Sequence, residues 1–503
     1  MPADSAETLI EHLSRFRGID RPAVQVANMV LSYAELTEQV AATAARLCEI
    51  GVEPRDRVLI ILPNSIEHII GVLAVIAAGA VAIPVDIDAG SSRLDDIVAQ
   101  TGPRCCLVDP DRGAVSGMQT ISLHINPNSK AIECVSHGSA PVAAQTDSLQ
   151  ATVAFIRFTS GSTGHAKGVM LTHAQQLWIA RALSEYFGLD SDHRELVLVS
   201  MALSGGWQRV AATLYAGGRV IIAEKPLSVG DLLDTMVSTG ATGFFTPPPL
   251  VRMMLASPGD RASRALRACR TIETGSAAIT SGELQTLKAL VPDARVYFHY
   301  GLTECSRAVI LDTCSHADHM ATVGRPLPGV EIKIVDEKFN ALPCNQDGQI
   351  LLRGPQLTIG YWRQPELNRQ RFVDGWLATG DYGLIDEAGF LTLRGRHDDM
   401  INCGGHCYFP GEVEHALGTP GDVEQYLVAG VPDPRGVLQD IPWAFVVPCR
   451  PDDWSPKNFL ARARDRLPAH MVPRQVVTIP ALPLTPSGKP DRRETVKLYG
   501  GNT

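Results

Sequence analysis

The sequence is poor in cysteine, has no excess of basic residues and lacks a hydrophobic run of membrane-spanning length. Eleven cysteines in 503 residues are too few for a disulfide scaffold, and no pair has the C-x-x-C spacing of a zinc ribbon. Lys and Arg total 45 against 54 Asp and Glu, which gives a formal net charge of −9. This balance argues against nucleic acid or an anionic membrane surface as the main partner, while leaving room for a local phosphate pocket.

The longest apolar run extends from Ile69 to Ile83. It is about 15 residues long and stops at Pro84, whereas a membrane-spanning helix needs about 20 residues. We therefore predict a buried helix, a turn at Gly79 and a core strand. The first residues lack a basic segment followed by an apolar stretch, so no secretion signal is predicted. With its cysteines interpreted as free thiols, the sequence predicts a cytoplasmic protein.

The composition is that of a globular protein of several domains. Hydrophobic residues make up 45% and charged residues 20% of the chain, which is ordinary for such proteins. At roughly 100–200 residues per domain, the length allows two to four domains. Strand-like and helix-like segments alternate from about Val24 to Ile334, which predicts parallel or mixed sheets covered by helices. The polar, less regular residues 111–150 are predicted to be a surface excursion.

The pattern changes from Gly329, where short strands with frequent glycine predict a small β-barrel-like region. A compact α/β unit of about 100 residues follows Arg396. We therefore predict an α/β fold with a large N-terminal domain of mixed sheets covered by helices, residues 1–397. A small, mobile α+β lid domain, residues 398–503, would follow it. The chain shows no short-period repeat and no long low-complexity tract.

The segment from Phe158 to Gly168 combines glycines, hydroxyl side chains and a lysine directly after the apolar run 153–158. Glycines without Cβ atoms let backbone N–H groups wrap an anion, and Lys167 adds a positive charge. The pattern is not that of P-loop NTPases, which requires Gly-Lys-Ser/Thr. The alternative, a flexible Ser/Gly linker, needs neither a preceding strand nor a lysine. We therefore predict a polyphosphate site at Thr159, Ser160, Gly161, Ser162, Thr163, Gly164 and Lys167.

Further segments follow this loop in a fixed order along nearly the whole chain: Gly275-Ser276-Ala277-Ala278, Tyr300-Gly301-Leu302-Thr303-Glu304, and the stretches 375–381, 395–401 and 483–489. The set resembles the adenylate-forming superfamily, which contains acyl- and aryl-CoA ligases, adenylation domains of peptide synthetases, and luciferases. The loop departs from the family pattern at Ala166, where proline is usual.

The resemblance implies an enzyme that joins a carboxylate to the α-phosphate of ATP and releases pyrophosphate. Two anions must approach each other, so catalysis depends on positioning and charge neutralisation. Glu304 is then the expected Mg²⁺ ligand, Thr303 a donor to the α-phosphate, and Lys489 a cation that reaches the carboxylate and the phosphate. Outside this family, Glu304 and Lys489 would be interpreted as solvated charges. The remaining nucleotide-binding residues are predicted to be Gly275, Ser276, Ala277, Tyr300, Gly301, Asp381 and Arg396.

The resemblance places the acyl pocket at Trp207, Phe244, Phe245, His299 and Arg307. The aromatic side chains indicate an apolar slot for a ring or a short chain. The segment 200–207 lacks the His of many acyl-CoA ligases and the Asp with which amino-acid-activating domains pair the substrate ammonium, which speaks against an α-amino acid. His299 and Arg307 are hypothesised to recognise a polar or anionic substituent. The alternative is that Arg307 pairs with a nearby acid.

The second half-reaction would transfer the acyl group from AMP to a thiol. In the resembling family the C-terminal domain rotates between the two steps, and Asp398 matches the hinge position. Gly404 and Gly405 match the small residues that line the pantetheine channel of CoA ligases, with a plain turn as the alternative. The leading hypothesis is a carboxylate–CoA ligase for an aryl or short- to medium-chain acid, using ATP, Mg²⁺ and CoA.

Two other functions stay open. The enzyme could load a carrier-protein phosphopantetheine, which would have to act in trans because the tail has no carrier-protein Asp-Ser-Leu motif. It could also be a nucleotide-binding protein without catalysis, although the intact residues weigh against this: Lys167, Glu304, Asp381 and Lys489. The sequence does not identify the acid, and it leaves the oligomeric state open, a homodimer included.

Overall fold

A computed structural model describes residues 7–112, 115, 118–137, 152–159, 166–223, 228–404, 406–418, 420–435, 438–485 and 490–501. The chain divides into two compact units. Unit 1 comprises Met1–Glu331 and Leu352–Leu377, and unit 2 comprises Ile332–Leu351 and Ala378–Thr503. Each unit has its own hydrophobic core.

The strands in chain order are β1 Pro22–Val26, β2 Met29–Ser32, β3 Arg57–Ile61, β4 Val81–Pro84, β5 Cys105–Val108, β6 Thr120–Ile125, β7 Ile132–His137, β8 Val153–Thr159, β9 Lys167–Thr172, β10 Arg194–Val197, β11 Arg219–Ile222, β12 Gly243–Thr246, β13 Thr271–Gly275, β14 Arg295–Tyr300, β15 Val309–Asp312, β16 Arg325–Pro326, β17 Glu331–Val335, β18 Gly348–Arg353, β19 Gly360–Tyr361, β20 Phe372–Val373, β21 Trp376–Ile385, β22 Leu391–Arg396, β23 Ile401–Cys403, β24 His406–Tyr408, β25 Val423–Pro432, β26 Asp440–Pro448 and β27 Gln475–Thr478.

The α-helices are α1 Leu9–Ser14, α2 Tyr33–Glu49, α3 Ile66–Ala77, α4 Ser91–Thr101, α5 His173–Phe187, α6 Ser204–Tyr215, α7 Val229–Thr239, α8 Pro248–Leu255, α9 Arg261–Leu266, α10 Ser281–Leu290, α11 Pro365–Arg371, α12 Pro410–Leu417, α13 Pro456–Arg466 and α14 Arg492–Tyr499. Short 3₁₀ turns occur at Pro110–Arg112, Ala317–His319, His397–Asp399 and Pro451–Asp453. No helix among the described residues is long and apolar enough to span a membrane.

Unit 1 contains two mixed sheets. The first has the strand order β16-β15-β14-β13-β12-β10-β11-β1-β2, and the second has the order β19-β9-β8-β4-β3-β5-β6-β7. The central strands of both sheets run parallel, and antiparallel strands lie towards the edges. Every residue of the central strands β3, β4 and β5 is buried, as expected where helices cover both faces of a parallel sheet. The prediction of mixed sheets covered by helices is confirmed.

The apolar run 69–83 forms the predicted helix, turn and strand. Ser65 caps α3 by accepting a hydrogen bond from the backbone N–H of His68. Gly79 then takes a left-handed conformation with φ of 73°, which glycine adopts without the steric cost that other residues meet. The chain enters β4 directly afterwards. The run is therefore a core element.

Part of the predicted surface excursion is regular structure. Strands β6 and β7 pair in antiparallel register from Thr120 opposite His137 to Ile125 opposite Ile132. Most of β6 is buried while β7 is largely exposed, so β7 is a polar edge strand and its sequence has no strong strand signal. Residues 138–150 of the excursion lie outside the described residues.

Unit 2 contains a three-stranded sheet with apolar clusters on both faces. Strand β26 pairs antiparallel with β25 and parallel with β27. Val428 and Val446 pack in one cluster with Phe459 of α13, while Leu427 and Phe445 belong to the other. Alternation along the strands accounts for this division. The predicted small α+β character of the C-terminal region is confirmed.

Candidate active site

Strands β8 and β9 flank the predicted phosphate loop. They pair in antiparallel register, with Thr159 opposite Lys167. The preceding strand was predicted as 153–158 and is observed as Val153–Thr159. Residues 160–165 lie outside the described residues, and they include Ser160, Gly161, Ser162, Thr163 and Gly164. Of the predicted phosphate ligands, the structure therefore places Thr159 and Lys167, at the end of one strand and the start of the next.

A second group of predicted residues lies at the carboxyl ends of β13 and β14. These strands are parallel, with Gly275 opposite His299, so the residues that follow them emerge at one edge of the sheet. Ser276 is exposed and left-handed, with φ of 67°, and Tyr300 is the last residue of β14. In open α/β sheets this edge is where ligands bind. The structure thus brings the predicted adenine segment, Gly275, Ser276 and Ala277, beside the segment that contains Tyr300 and Gly301.

Glu304 lies in the turn after β14 and is buried. Its Oε1 accepts a hydrogen bond of 2.7 Å from the Tyr361 hydroxyl, and its backbone oxygen accepts one of 2.8 Å from the N–H of Thr358. Burial and then the Glu304 charge raise the pKa of Tyr361, so this hydroxyl stays a donor. Thr303, beside Glu304, is half-buried.

Glu304 fits the hard-oxygen chemistry of Mg²⁺, which proteins bind through one or two carboxylates together with substrate phosphates. Among the described residues, no group of three or more His, Cys, Asp or Glu side chains could hold a metal ion. A magnesium ion here would thus rely on Glu304 and on the nucleotide itself.

His299 and Arg307, predicted for the acyl pocket, both bind Glu273. The Nδ1 of His299 lies 2.7 Å from Oε1 of Glu273, and the Nε of Arg307 donates to the same oxygen over 2.9 Å. Arg307 also donates to Oε1 of Gln208 over 2.7 Å and to the backbone oxygen of Gly205 over 3.0 Å. The pairing with an acid, given as the alternative for Arg307, is therefore present.

Arg209 and Glu195 extend this arrangement across the sheet. The Nε of Arg209 donates to Glu195 over 2.7 Å and lies 3.7 Å from Glu273, while Nε2 of His193 lies 2.9 Å from Glu195. Every one of these side chains is buried. We call the set formed by Glu195, Glu273, Arg209, Arg307, His193 and His299 the buried charge cluster.

The cluster keeps its carboxylates ionised despite burial. Burial alone would raise the pKa of Glu273, but the charges of Arg307 and His299 hold that pKa well below its usual range. For Glu195, burial is likewise outweighed by Arg209, which lowers the carboxyl pKa. Burial lowers the pKa of His193. Two acids thus balance two arginines beneath the predicted acyl pocket.

The three aromatic residues predicted for this pocket lie in different parts of unit 1. The Phe245 ring lies 5.2 Å from the ring of His299 and 5.0 Å from the guanidinium carbon of Arg307. Phe244, the next residue along β12, points to the opposite face of the sheet, since side chains alternate along a strand. Trp207 is fully buried in the main core, 5.8 Å from the ring of Phe155. Phe245 therefore contacts the cluster, Phe244 does not share its face, and Trp207 forms core packing.

Unit 2 holds the remaining predicted residues. Asp381 and Arg396 stand opposite each other on β21 and β22, with Oδ1 and Nη1 separated by 3.8 Å. Asp398 lies in the following 3₁₀ turn and accepts a 2.8 Å hydrogen bond from Arg493. Burial would raise its pKa, but Arg493 lowers it. Gly404 is left-handed with φ of 61°. Gly405 and Lys489 lie outside the described residues.

Comparison with known proteins identifies the chain. Residues 11–362 match the family model of AMP-binding enzymes, and residues 412–489 match the model of the AMP-binding enzyme C-terminal domain. The fold and these matches define an adenylate-forming acid–thiol ligase of the acyl- or aryl-CoA ligase type, as the sequence resemblance predicted. The chain belongs to the AMP-binding enzyme family, whose members activate acids in an ATP-dependent reaction.

Several relatives match it over nearly their whole length. Feruloyl-CoA synthase from Amycolatopsis sp is 30% identical over 483 residues, which cover 95% of this chain and 96% of that enzyme. The fatty acid–acyl-carrier-protein ligase ScoC from Streptomyces coeruleorubidus is 29% identical over 504 residues, with 96% and 94% covered. The crystal structure of ATP-bound MatB from Rhodopseudomonas palustris superposes with a TM-score of 0.86 at 26% identity, covering 98% of this chain and 99% of MatB. The similarity therefore includes both units.

Sequence reasoning missed several residues of this region. Glu273 is a charged residue inside a buried strand, a pattern that predicts a paired or functional side chain. Arg209 follows Trp207 and Gln208 in an otherwise apolar helix, which is the same signal. Tyr361 was not predicted as a site residue, because its contact with Glu304 joins residues far apart in sequence.

Proposed function

We propose that this chain is a carboxylate–CoA ligase that adenylates an aryl or short- to medium-chain acid and transfers the acyl group to a thiol. The observation that carries the proposal is the buried Glu304, held by Tyr361 at the edge where β13 and β14 end. Mg²⁺ bound there would neutralise phosphate charge. Lys167, the first residue of β9, would add a second positive charge. Lys489 is proposed to contact the carboxylate and the α-phosphate.

The acyl group is proposed to be uncharged beyond its carboxylate. The Nε and both terminal nitrogens of Arg307 donate to Glu273, Gln208 and Gly205. Arg209 is likewise bonded to Glu195, so both arginines of the pocket floor are already paired with glutamates and neither is left to pair with a second anionic group. Phe245 offers an apolar ring beside it. This arrangement favours a neutral ring or chain over the polar or anionic substituent hypothesised from the sequence.

The thiol acceptor is proposed to be CoA, with a carrier-protein phosphopantetheine as the second candidate. Gly404 is left-handed and carries no side chain, as the proposed channel for a thin pantetheine arm requires. The relative named as a fatty acid–acyl-carrier-protein ligase supports the second candidate. Both acceptors end in the same arm, so the distinction requires a direct measurement.

The proposal is tested by incubating the enzyme with ATP, Mg²⁺ and pairs of acids that differ by one charge, such as butyric and succinic acid, together with benzoic and cinnamic acids. Pyrophosphate release and hydroxamate trapping report adenylation, and added CoA or phosphopantetheinylated carrier protein reports the acceptor. We expect release with neutral acids and weak release with the dicarboxylic acid. Absence of release with every acid would favour a binding protein without catalysis.

The variant Lys489→Ala supplies the control for mechanism. We expect it to lower adenylation by about two orders of magnitude or more, because a cation opposite developing charge is removed. Thioester formation from supplied acyl-adenylate should survive better. Equal losses in the two half-reactions would contradict the role assigned to Lys489.

A further inference from the structure

Ala166 connects the predicted phosphate loop to β9, and helix α4 holds its backbone on both sides. The N–H of Ala166 donates to Oδ2 of Asp96 over 3.2 Å. The backbone oxygen of Ala166 accepts a hydrogen bond of 3.1 Å from Nε2 of Gln100. Ala166 itself is buried. Both polar groups of this one peptide position are therefore fixed by side chains of a single helix.

The geometry of α4 suits this task. Asp96 and Gln100 are four residues apart, so their side chains lie on the same face of the helix. That face borders a surface cavity of about 320 Å³ that Asp96 and Gln100 line together with Trp362, Arg363 and Gln364. Shortening either side chain would therefore remove a hydrogen bond without opening a closed void in the core.

Helix α4 is itself anchored to the start of β9. The backbone oxygen of Gln100 accepts hydrogen bonds from Nε1 of Trp362 over 3.0 Å and from Nη1 of Arg363 over 3.1 Å. The N–H of Trp362 donates to the oxygen of Gly168 over 2.7 Å. Helix α4 thus bonds to Ala166, Gly168 bonds to Trp362, and Trp362 bonds back to α4. Together these hydrogen bonds form a ring around the first residues of β9.

These hydrogen bonds bear on Ala166, the position at which the loop departs from the family pattern and where proline is usual. Proline at this position would fix φ near −65° but has no N–H to donate. Alanine gives up that restriction and gains the bond to Asp96. We propose that Asp96 and Gln100 are positioning residues that take the place of the proline, holding Ala166 so that Lys167 begins β9 at a fixed point. The consequence for ATP rests on the function proposed above for the loop.

The test compares Asp96→Ala and Gln100→Ala with Asp95→Ala, in the full-length enzyme. Asp95 lies on the same helix and is exposed, so its variant controls for the lost charge. Hydrogen exchange of a peptide covering 166–172 is measured without ligands, and KM for ATP and kcat are measured separately. We expect faster exchange and a rise in KM of roughly threefold to tenfold for the first two variants, the size of one lost hydrogen bond. Asp95→Ala should match the wild type.

The decisive variant is Ala166→Pro, which lacks the donor and restores the fixed φ. In the Ala166→Pro background, Asp96→Ala should change neither exchange nor KM, because the bond it removes no longer exists. If Ala166→Pro folds poorly, Asp96→Asn replaces it as the test. This variant keeps an acceptor oxygen, so its exchange rate should be close to that of the wild type and slower than that of Asp96→Ala. Equal effects of Asp96→Ala in both backgrounds, or unchanged exchange in Asp96→Ala, would overturn the proposal. A wild-type enzyme inactive with every acid would refute the proposed function, while the exchange result would still decide the positioning role.

Discussion

Glu273 is the residue on which the arrangement beneath the acyl pocket depends. Its carboxylate contacts Arg307, His299 and, at longer range, Arg209. Burying a carboxylate costs several kcal/mol unless cations and hydrogen bonds compensate. Arg307 in turn has a left-handed backbone with φ of 46°, a strained conformation for a non-glycine residue. The bonds to Glu273 therefore offset both a desolvation cost and a backbone cost.

Replacing Glu273 by Gln should destabilise unit 1 strongly. The variant leaves Arg307 buried without its counter-charge, which costs about 3–5 kcal/mol in comparable pairs. Urea unfolding at pH 7 measures the change. Glu185→Gln is the control, because this residue is exposed and its partner Arg181 is 3.9 Å away, so a change below about 0.5 kcal/mol is expected. Wild-type stability in Glu273→Gln would show that this carboxylate is not the counter-charge.

The stability difference between the wild type and Glu273→Gln should also depend on pH. The pKa of Glu273 is lower in the folded state than its ordinary value of 4.5, so the unfolded state binds the proton more readily. Its contribution to stability is then complete above about pH 4.5 and is lost as the pH falls below that value. Urea unfolding at a series of pH values should show the difference between wild type and Glu273→Gln narrowing as the pH falls below 4.5.

At the residue scale, the sequence predicted where site residues lie better than it predicted which side chains they bond to. The family resemblance placed His299 and Arg307 in the acyl pocket, and pairing with an acid was named as one outcome for Arg307. The sequence could not identify Glu273 as that acid, because Glu273 on β13 and Arg307 after β14 come together only in the folded chain.

At the scale of elements, the amino end of α6 shows how two adjacent glycines differ. A Cβ on Gly205 would lie 2.7 Å from Cε1 of Phe245, a side chain that can turn. A Cβ on Gly206 would meet the backbone oxygens of Ser200 and Val199, the latter at 2.7 Å. Asn64 holds that backbone through its bond of 3.2 Å to the oxygen of Val199. The atoms around a Cβ at Gly205 can therefore move aside more easily than those around a Cβ at Gly206.

We expect Gly206→Ala to lower the free energy of unfolding by about 1–3 kcal/mol, the usual cost of overpacking. Gly205→Ala should cost less, because the atom that its Cβ meets belongs to the Phe245 ring, which can shift, and not to the backbone. That shift should narrow the proposed pocket and lower kcat/KM for the bulkiest acid more than for the smallest. Thermal unfolding and the acid panel measure both effects, and equal destabilisation by the two alanines would contradict this account.

Elements with strong local signals agree with the sequence prediction, and those without them do not. The helix and strand around Gly79 and the strand before the phosphate loop are both observed. Strand β7 was not predicted, because most of its residues are exposed and it forms a strand by pairing with β6. Its existence depends on a partner strand, which local sequence does not encode.

At the scale of the whole molecule, the sequence predicted two parts from a change in pattern after Gly329 and a break after Arg396. The structure divides into two units, and the polypeptide passes from one to the other at Glu331, Leu351 and Leu377. A chain that returns in this way cannot be divided at a single position by sequence pattern alone. The boundary at 398 and the hinge at Asp398 remain predictions about movement.

Gly404 connects unit 2 with the second half-reaction and provides a test at this scale. Gly404 and Gly418 both have a positive φ, of 61° and 64°, which strains any residue that has a Cβ atom. Gly418 also has a ψ of −159°, a combination that glycine alone adopts readily, so Gly418→Phe is a control with a strongly strained backbone. A Cβ atom at Gly418 would meet nothing within 4 Å, and one at Gly404 would lie 3.1 Å from the Leu438 side chain. Both variants thus strain the backbone, and they differ in where the ring is placed.

If Gly404 lines the proposed pantetheine channel, Gly404→Phe should slow thioester formation from supplied acyl-adenylate by roughly tenfold or more, which corresponds to about 1.4 kcal/mol in the barrier. Pyrophosphate release without a thiol should stay near wild type, because adenylation does not need the channel. Gly418→Phe should lower the thermal midpoint while leaving both half-reactions unchanged. Equal thiol-step rates in the two variants would assign Gly404 to a plain turn, since a shared loss of stability cannot impair one half-reaction selectively.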